Sequence, residues 1–199
     1  MVVSVILAHP YPYSFNAAIY QRSLQWLETN GHRVYAHDLY RETFDPVLVG
    51  EEVLMDGGSH SPVWDYQREI LESEGVVFIH PNWWGQPPAI LKGYLDRVWR
   101  ENINYRLDEG KGGMPVGLMQ RMGAVVFNTS DTPAEREDNF FGDPLEKIWK
   151  KCVFEFSGIT RYQRVIFRVM ADSTPQERAN WLNEVDQCLA RLFPTTHHD

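Results

Sequence analysis

The segment His80-Pro-Asn-Trp-Trp-Gly-Gln-Pro-Pro-Ala-Ile-Leu-Lys-Gly-Tyr-Leu-Asp-Arg-Val-Trp99 joins a predicted buried strand to a predicted helix through a loop rich in aromatic residues and prolines. Gly85 permits close approach of the backbone to a ligand. Pro87 and Pro88 stiffen the chain before a helix that we expect to begin near Ala89. Such a loop is typical of a site for a flat ligand. In the alternative interpretation, Trp83 and Trp84 simply pack the loop onto the core.

Five apolar, β-branched runs along the chain predict strands, and most of them precede a helical pattern. They are Val2 to Ala8, Arg33 to Asp38, Gly75 to His80, Gly123 to Asn128 and Tyr162 to Arg168. Strands that alternate with helices indicate a parallel sheet, and right-handed crossovers place helices on both of its faces. We therefore expect an α/β fold, a doubly wound three-layer domain with a five-stranded parallel sheet and a ligand site at the carboxyl ends of the strands.

Helical periodicity predicts the core-facing side of three helices. The stripes are Ala17, Tyr20, Leu24 and Leu27; Leu145, Ile148, Trp149, Cys152 and Phe156; and Trp181, Val185, Cys188, Leu189 and Leu192. Because Cys152 and Cys188 occupy apolar positions, we expect two buried, reduced thiols rather than a disulfide or a metal site. The pattern also predicts an exposed loop at Asp56-Gly-Gly-Ser59 and a disordered end at His197-His198.

Composition and charge limit the classes of function. The chain has 199 residues, 43% of them hydrophobic and 23% charged, without a shift that marks a second domain, so we expect one domain over residues 1–199. The start of the chain, Met1 to Ala8, lacks a basic flank and enters a strand pattern, and no apolar run approaches the roughly 20 residues of a transmembrane helix, which favours a cytoplasmic location. A net charge of -8 disfavours a nucleic-acid partner.

Two further loops follow predicted neighbouring strands. The first, His9-Pro-Tyr-Pro-Tyr-Ser-Phe-Asn16, enters a helix, so free backbone N–H groups, Ser14 and Asn16 favour an anion such as a phosphate, with His9 as a further donor. Simple N-capping by Ser14 explains the same residues. The second, Asn128-Thr-Ser-Asp-Thr-Pro133, offers hydrogen bonds to the edge of a heteroaromatic ring, although turns use the same composition.

The three loops together match the phosphate, the ring face and the pyrimidine rim of a flavin mononucleotide. Neither a Gly-x-Gly-x-x-Gly after the first strand nor a Walker-type phosphate loop occurs in the sequence, which disfavours a dinucleotide-type Rossmann fold and a nucleotide hydrolase. The histidines show no metal-ligand spacing with one another or with the cysteines, so we expect no metal.

Several motifs resemble the flavodoxin-like NAD(P)H:quinone oxidoreductases, the NAD(P)H dehydrogenase (quinone) family, over about the first half of the chain. They are Ala8-His-Pro-x-Pro-x-Ser-Phe-Asn16, His37-Asp-Leu-Tyr40, Phe44-Asp-Pro46, Pro81-x-Trp-Trp-Gly85, and Leu91-Lys-Gly-x-x-Asp-Arg-Val98. The resemblance implies a five-stranded flavodoxin-like fold and a homodimer with the active site near the subunit interface. By position in the motifs, the resemblance also implies two groups of flavin contacts. The flavin phosphate is expected to bind His9, Ser14, Phe15 and Asn16, and the flavin ring is expected to be lined by Pro81, Asn82, Trp83, Trp84 and Gly85.

The second half departs from the family pattern. Asn128, Thr129, Ser130 and Asp131 stand where many members have Thr-Thr-Gly-Gly, so they are ring contacts by place only. The family's Tyr and His before Gly-Asp are not matched in Asn139-Phe-Phe-Gly-Asp-Pro144, so no catalytic side chain is assigned. The nearby Glu135, Arg136 and Glu137 are polar candidates on a loop that we expect to be solvated.

The resemblance and the loops together predict a flavin-dependent oxidoreductase that takes hydride from NADH or NADPH and passes two electrons to a quinone-like acceptor. We expect FMN, with FAD as the alternative, because no residues are evident for an adenosine half. Two other functions fit the same residues, an electron carrier between proteins and a flavin-bearing regulatory subunit of a larger assembly.

Overall fold

The five predicted strands form one parallel sheet in the computed structural model, which describes residues 1–54, 58 and 60–195. The strands of the chain are β1 (Val2–Leu7), β2 (Arg33–Asp38), β3 (Gly75–Pro81), β4 (Tyr105–Asp108), β5 (Met114–Gly117), β6 (Gly123–Ser130) and β7 (Arg161–Arg168). The sheet has the order β2-β1-β3-β6-β7, in which every pair of neighbours is parallel. This order confirms the predicted flavodoxin-like topology. The predicted loop Asp56–Ser59, except Gly58, and the predicted end at His197 and His198 lie outside the described residues.

Helices cover both faces of the sheet. They are α1 (Phe15–Thr29), α2 (Gly50–Val53), α3 (Trp64–Glu72), α4 (Ala89–Val98), α5 (Ala134–Arg136), α6 (Pro144–Lys147) and α7 (Pro175–Leu192), with π-helical segments at Glu137–Phe141 and Ile148–Glu155 and 3-10 turns at Glu109–Lys111 and Met170–Asp172. The longest helix, α7, begins with a capping box between Thr174 and Glu177. Within the described residues, none of these helices combines the length and apolarity that a bilayer crossing requires.

Two apolar layers lie on opposite faces of the sheet. Alternate residues of β3 divide between them, with Phe78 packed in the layer that contains Trp149, and Val77 packed in the layer that contains Leu189. All of β3 is buried, as expected for the central strand of a parallel sheet that is covered on both sides. The predicted three-layer arrangement is therefore confirmed.

The predicted stripe that includes Cys152 and Phe156 is wrong at its second half. Cys152 is exposed and Phe156 is 42% exposed, whereas Val153 and Phe154 are buried in their place. The segment Ile148–Glu155 is a π-helix, whose wider turns shift the buried face away from a 3.6-residue period. The expectation of a buried thiol holds for Cys188 alone.

The sequence analysis missed an antiparallel hairpin between α4 and β6. β4 and β5 pair from Tyr105 with Gly117 to Asp108 with Met114. The two strands are short and lack clear alternation of apolar and polar residues. Their connection contains Gly112 and Gly113, which have φ values of 67° and 79°, and a Gly-Gly pair is a turn signal from which the hairpin could have been predicted.

Candidate functional site

Three loops meet at the carboxyl edge of the sheet and are tied together by hydrogen bonds. The backbone N–H of Asn82, just after β3, donates to the carbonyl of Thr129 in β6 at 2.7 Å. From the first loop, the side-chain Nδ2 of Asn16 donates to Thr129 Oγ1 at 2.8 Å. The loops after β1, β3 and β6 therefore form one unit, as the parallel topology predicts.

Most of the predicted site residues line one cleft of about 330 Å³ between these loops. Those that do are His9, Ser14, Phe15, Asn16, Pro81, Asn82, Trp83, Thr129, Ser130 and Asp131. Thr132 and Met170 also line the cleft and were missed. Thr132 continues the polar run after β6, whereas Met170 follows β7, a loop for which the sequence analysis made no prediction.

The first loop presents hydrogen-bond donors to the cleft. Ser14 caps α1, since its Oγ accepts a hydrogen bond from Ala17 N–H at 3.1 Å, which leaves the hydroxyl proton available to a ligand. Tyr11 N–H donates to His9 Nδ1 at 3.1 Å, and partial burial lowers the pKa of His9. The neutral ring therefore carries its proton on Nε2 as a donor. The start of α1 adds backbone N–H groups that have no partner within the helix.

Asn16 lines the cleft and does not cap α1. It is 2% exposed, and its Oδ1 has no hydrogen-bond partner among the described residues. A buried amide oxygen without a partner costs free energy unless a ligand or water satisfies it. Phe15, by contrast, packs its ring against Phe167 and Trp181 at centroid distances of 5.7 and 5.6 Å, so its side chain supports the loop.

The aromatic loop is a tight turn. Trp83 and Gln86 exchange two backbone hydrogen bonds of 3.0 Å, and Trp84 and Gly85 have φ values of 57° and 70°, as in a type I′ turn. The indole of Trp84 is fully exposed and that of Trp83 is 41% exposed. The alternative in which both indoles pack onto the core is therefore wrong. A side chain at Gly85 would meet Pro144 Cγ at 2.7 Å.

Replacing Trp84 with asparagine is expected to raise the free energy of unfolding by about 1 kcal/mol, because a left-handed conformation is costly for tryptophan and favoured by Asn-Gly in a type I′ turn. An exposed indole contributes no burial that the change removes. Urea denaturation measures the difference. Trp83→Asn is the control. Trp83 does not have a positive φ, so its replacement relieves no strain, and the loss of its partly buried indole should destabilise the protein. Equal destabilisation by both changes would contradict the assignment of strain to Trp84.

The third loop departs from its prediction at Asn128. Side chains alternate along β6, so Thr129 faces Asn16 while Asn128 is buried and accepts a hydrogen bond from Arg164 Nε at 2.9 Å. Asn128 therefore does not line the cleft. Ser130 Oγ accepts a hydrogen bond from Thr132 N–H, and Asp131 Oδ1 accepts one from Ala171 N–H, which fixes the polar edge of the cleft.

A second cavity, which we call the side chamber, adjoins the cleft and has a volume of about 380 Å³. It is lined by Asn82, Trp84, Gly85, Thr132, Glu137, Phe141 and Pro144, and it shares Asn82 and Thr132 with the cleft. The predicted residues Trp84 and Gly85 thus belong to its wall. The expectation of a solvated loop is wrong for Glu137, which is 2% exposed, because the π-helical segment Glu137–Phe141 turns it inward.

His80 supports the aromatic loop from below. It is completely buried, its Nδ1 lies 2.8 Å from the carbonyl oxygen of Pro81, and its Nε2 accepts a hydrogen bond from Trp149 Nε1 at 3.0 Å. Nδ1 must therefore be the protonated nitrogen of a neutral ring. Burial lowers the pKa of His80 to about 4.

Stability should fall as the pH drops from about 6.5 to about 4, because His80 titrates near 6.5 when unfolded and near 4 when folded. In that window the unfolded state binds more protons, so His80 lowers the free energy of unfolding by about 1.4 kcal/mol per pH unit. Urea unfolding of the wild type and of His80→Asn across this range isolates the contribution, since other groups cancel in the difference. A pH-independent difference between the two proteins would contradict it.

The residues of the cleft fit the flavin that the sequence predicts. The first backbone N–H groups of α1, which a helix leaves without an intrahelical partner, suit a phosphate. The amide oxygens of Asn16 and Asn82, which have no partner in the part of the chain that the structure describes, suit donors of a bound ligand. The indole of Trp83 provides an aromatic face in the cleft, and that of Trp84 lines the side chamber. No cluster of three or more metal-ligating side chains occurs in residues 1–54, 58 and 60–195.

Comparisons with known proteins agree with this architecture. The flavodoxin-like fold family matches residues 1–189. An uncharacterized NAD(P)H oxidoreductase of Haemophilus influenzae is 32% identical over 171 residues, which cover 82% of this chain and 81% of that protein. The ribosyldihydronicotinamide dehydrogenase (quinone) of Pongo abelii is 30% identical over 152 residues, 67% of this chain and 64% of that protein.

Among solved structures, an NAD(P)H:quinone oxidoreductase from Methanothermobacter marburgensis superposes with a TM-score of 0.80 at 26% identity and covers 94% of this chain and 96% of that chain. The resemblance predicted from the motifs at Ala8 to Asn16 and Pro81 to Val98 is thus confirmed. Because the family match extends from the first strand through most of α7, the chain belongs to the flavodoxin-like fold family.

Proposed function

We propose that this protein is a flavin-dependent NAD(P)H oxidoreductase, which transfers two electrons by hydride from NADH or NADPH through bound FMN to a quinone or similar acceptor. The observation that carries the proposal is the cleft, in which the start of α1, the indole of Trp83 and a polar edge meet within one hydrogen-bonded unit. Relatives named as NAD(P)H and quinone oxidoreductases support the same reaction.

Each loop has a separate role in holding the cofactor. We assign the phosphate to the start of α1, where the Ser14 hydroxyl, the Nδ2 proton of Asn16 that does not bind Thr129, and the Nε2–H of His9 can donate. Pro81 to Gly85 line the ring, and Thr129, Ser130 and Asp131 bind its polar edge. FMN is proposed rather than FAD, and residues 1–199 are proposed to form one flavin-binding domain.

Bound flavin supplies the reversible acceptance of a hydride. The protein positions the cofactor and limits its contact with water. The partly buried indole of Trp83 would limit the access of water to the cleft, and backbone N–H groups of the turn would stabilise negative charge at the ring. The side chamber receives the nicotinamide and then the acceptor in turn, because it opens beside the ring site and its walls at Phe141 and Pro144 are apolar.

A homodimer in the cytoplasm completes the proposal. The hairpin β4–β5 and its neighbour Phe156 leave several large apolar side chains exposed, namely Leu107, Met114, Leu118 and Phe156. Tyr105 lies against Phe156 with ring centroids 5.1 Å apart and with Arg106 beside it in sequence, so this surface offers contacts to a second copy. Sedimentation equilibrium tests the dimer, and the two free cysteines suit a reducing compartment.

The reaction is tested by mixing the FMN-loaded protein with NADH or NADPH without oxygen and following the flavin absorbance. We expect rapid bleaching by at least one nucleotide and recovery of the absorbance on addition of a quinone. A protein that carries flavin but shows no direct reduction by either nucleotide would be an electron carrier instead.

A further inference from the structure

The side chamber contains one ionisable side chain among its described lining residues, Glu137. The aromatic and apolar wall is formed by Trp84, Phe141 and Pro144. Glu137 is 2% exposed, and a buried carboxylate exerts a stronger field than one at the surface, because less water screens it. The charge of a ligand that enters the chamber therefore matters to binding.

Hydrogen bonds fix the Glu137 carboxylate in place. Asn82 Nδ2 donates to both of its oxygens at 3.2 Å. The backbone of Glu137 is also held, since its N–H donates to the carbonyl of Pro133 and its carbonyl accepts from Asp143 N–H. The carboxylate cannot swing away from an incoming anion without breaking these bonds.

The nearby cations do not cancel this charge. The guanidinium of Arg164 is already paired with Asp143 and Glu146, at 2.7 and 3.3 Å. Arg136 lies over the Phe141 ring at 5.6 Å, but it is exposed and does not line the chamber, so solvent screens it. Arg168 pairs with Asp138 at 3.9 Å and does not line the chamber either, so Glu137 is the one charged group among the described lining residues.

We propose that Glu137 makes the side chamber select uncharged aromatic acceptors and reject anionic ones. The proposal rests on the proposed function, in which this chamber receives the electron acceptor. Glu137 acts on specificity through its charge and is assigned no part in hydride transfer.

The test compares oxidation of the NADH-reduced, FMN-loaded protein by 1,4-naphthoquinone and by its 2-sulfonate. In Glu137→Gln, which keeps an acceptor for Asn82, we expect kcat/KM for the sulfonate to rise about tenfold relative to the neutral quinone. Glu135→Gln is the matched control, because it removes the same charge two residues away at an exposed position. In Glu135→Gln, the ratio of kcat/KM for the sulfonate to kcat/KM for the neutral quinone should stay at the wild-type value.

A second readout needs neither flavin nor turnover. Quenching of tryptophan fluorescence by 2-naphthol and by naphthalene-2-sulfonate reports binding to the protein, and the part of the quenching that is lost in Trp84→Phe reports binding in the side chamber. Glu137→Gln should tighten binding of the sulfonate alone. Equal changes for neutral and anionic ligands, or the same change in Glu135→Gln, would overturn the proposal. If the wild-type protein oxidises NADH but reduces neither quinone, both the proposed acceptor and the specificity role of Glu137 are wrong. If the wild type reduces quinones and Glu137→Gln has the same selectivity as the wild type, only the specificity role is wrong.

Discussion

Replacing Asn16 with alanine is expected to weaken FMN binding by about 100-fold, since a hydrogen bond from its Nδ2 to the charged phosphate contributes about 1.5–3 kcal/mol. The side chain is buried at the cleft, and its Nδ2 donates one proton to Thr129 and carries a second proton. Fluorescence titration of the apoprotein with FMN measures the dissociation constant.

Asn30→Ala controls for a general loss of stability. Asn30 lies at the opposite end of α1, where its Nδ2 donates to the carbonyl of Trp26 at 2.8 Å. Its replacement should cost stability but leave FMN affinity unchanged. Equal FMN affinity of Asn16→Ala and the wild type would show that Asn16 is a structural residue and would remove it from the site.

Replacing Trp149 with alanine is expected to lower the free energy of unfolding by about 4 kcal/mol, the usual cost of deleting a fully buried indole. Trp149 is 1% exposed and packs against Phe78 and Phe154 with ring centroids 4.7 and 5.5 Å apart. The change also leaves His80 Nε2 without its donor, beneath the aromatic loop. Denaturant unfolding at neutral pH measures the loss.

Trp149→Phe separates packing from hydrogen bonding. It keeps most of the aromatic contacts and removes only the N–H, so we expect a loss of about 1–3 kcal/mol, the cost of leaving a buried acceptor unsatisfied together with a small cavity. A loss in Trp149→Ala that is no larger than in Trp149→Phe would contradict the role of the indole as a packing element under the site.

The sheet was predictable because its inner strands β1, β3 and β6 are nearly continuous apolar runs, as expected for a sheet that is covered on both faces. The loops of the cleft followed from the same rule, since parallel strands bring their carboxyl ends together. Asn128 was assigned to the cleft only because it follows an apolar run. Side chains alternate along a strand, so Asn128 faces Arg164, whereas Thr129 faces the cleft.

The rest of the site depends on long-range packing that a local pattern does not contain. Glu137 becomes buried because a π-helical segment and a left-handed Asp143 at φ 40° carry the chain back over the cleft. Sequence periodicity assumes 3.6 residues per turn, so it also misplaced Cys152 and Phe156. The side chamber brings residues near position 84 together with residues near position 141, a juxtaposition that is visible only after folding.

Flavin binding in the cleft is measured by the visible spectrum of the purified protein after incubation with FMN and removal of free ligand, with mass analysis of the released cofactor. We expect a yellow protein with flavin absorbance, about one FMN per chain from one cleft per chain, and much weaker retention in Asn16→Ala. A colourless protein that binds neither added FMN nor added FAD would contradict it.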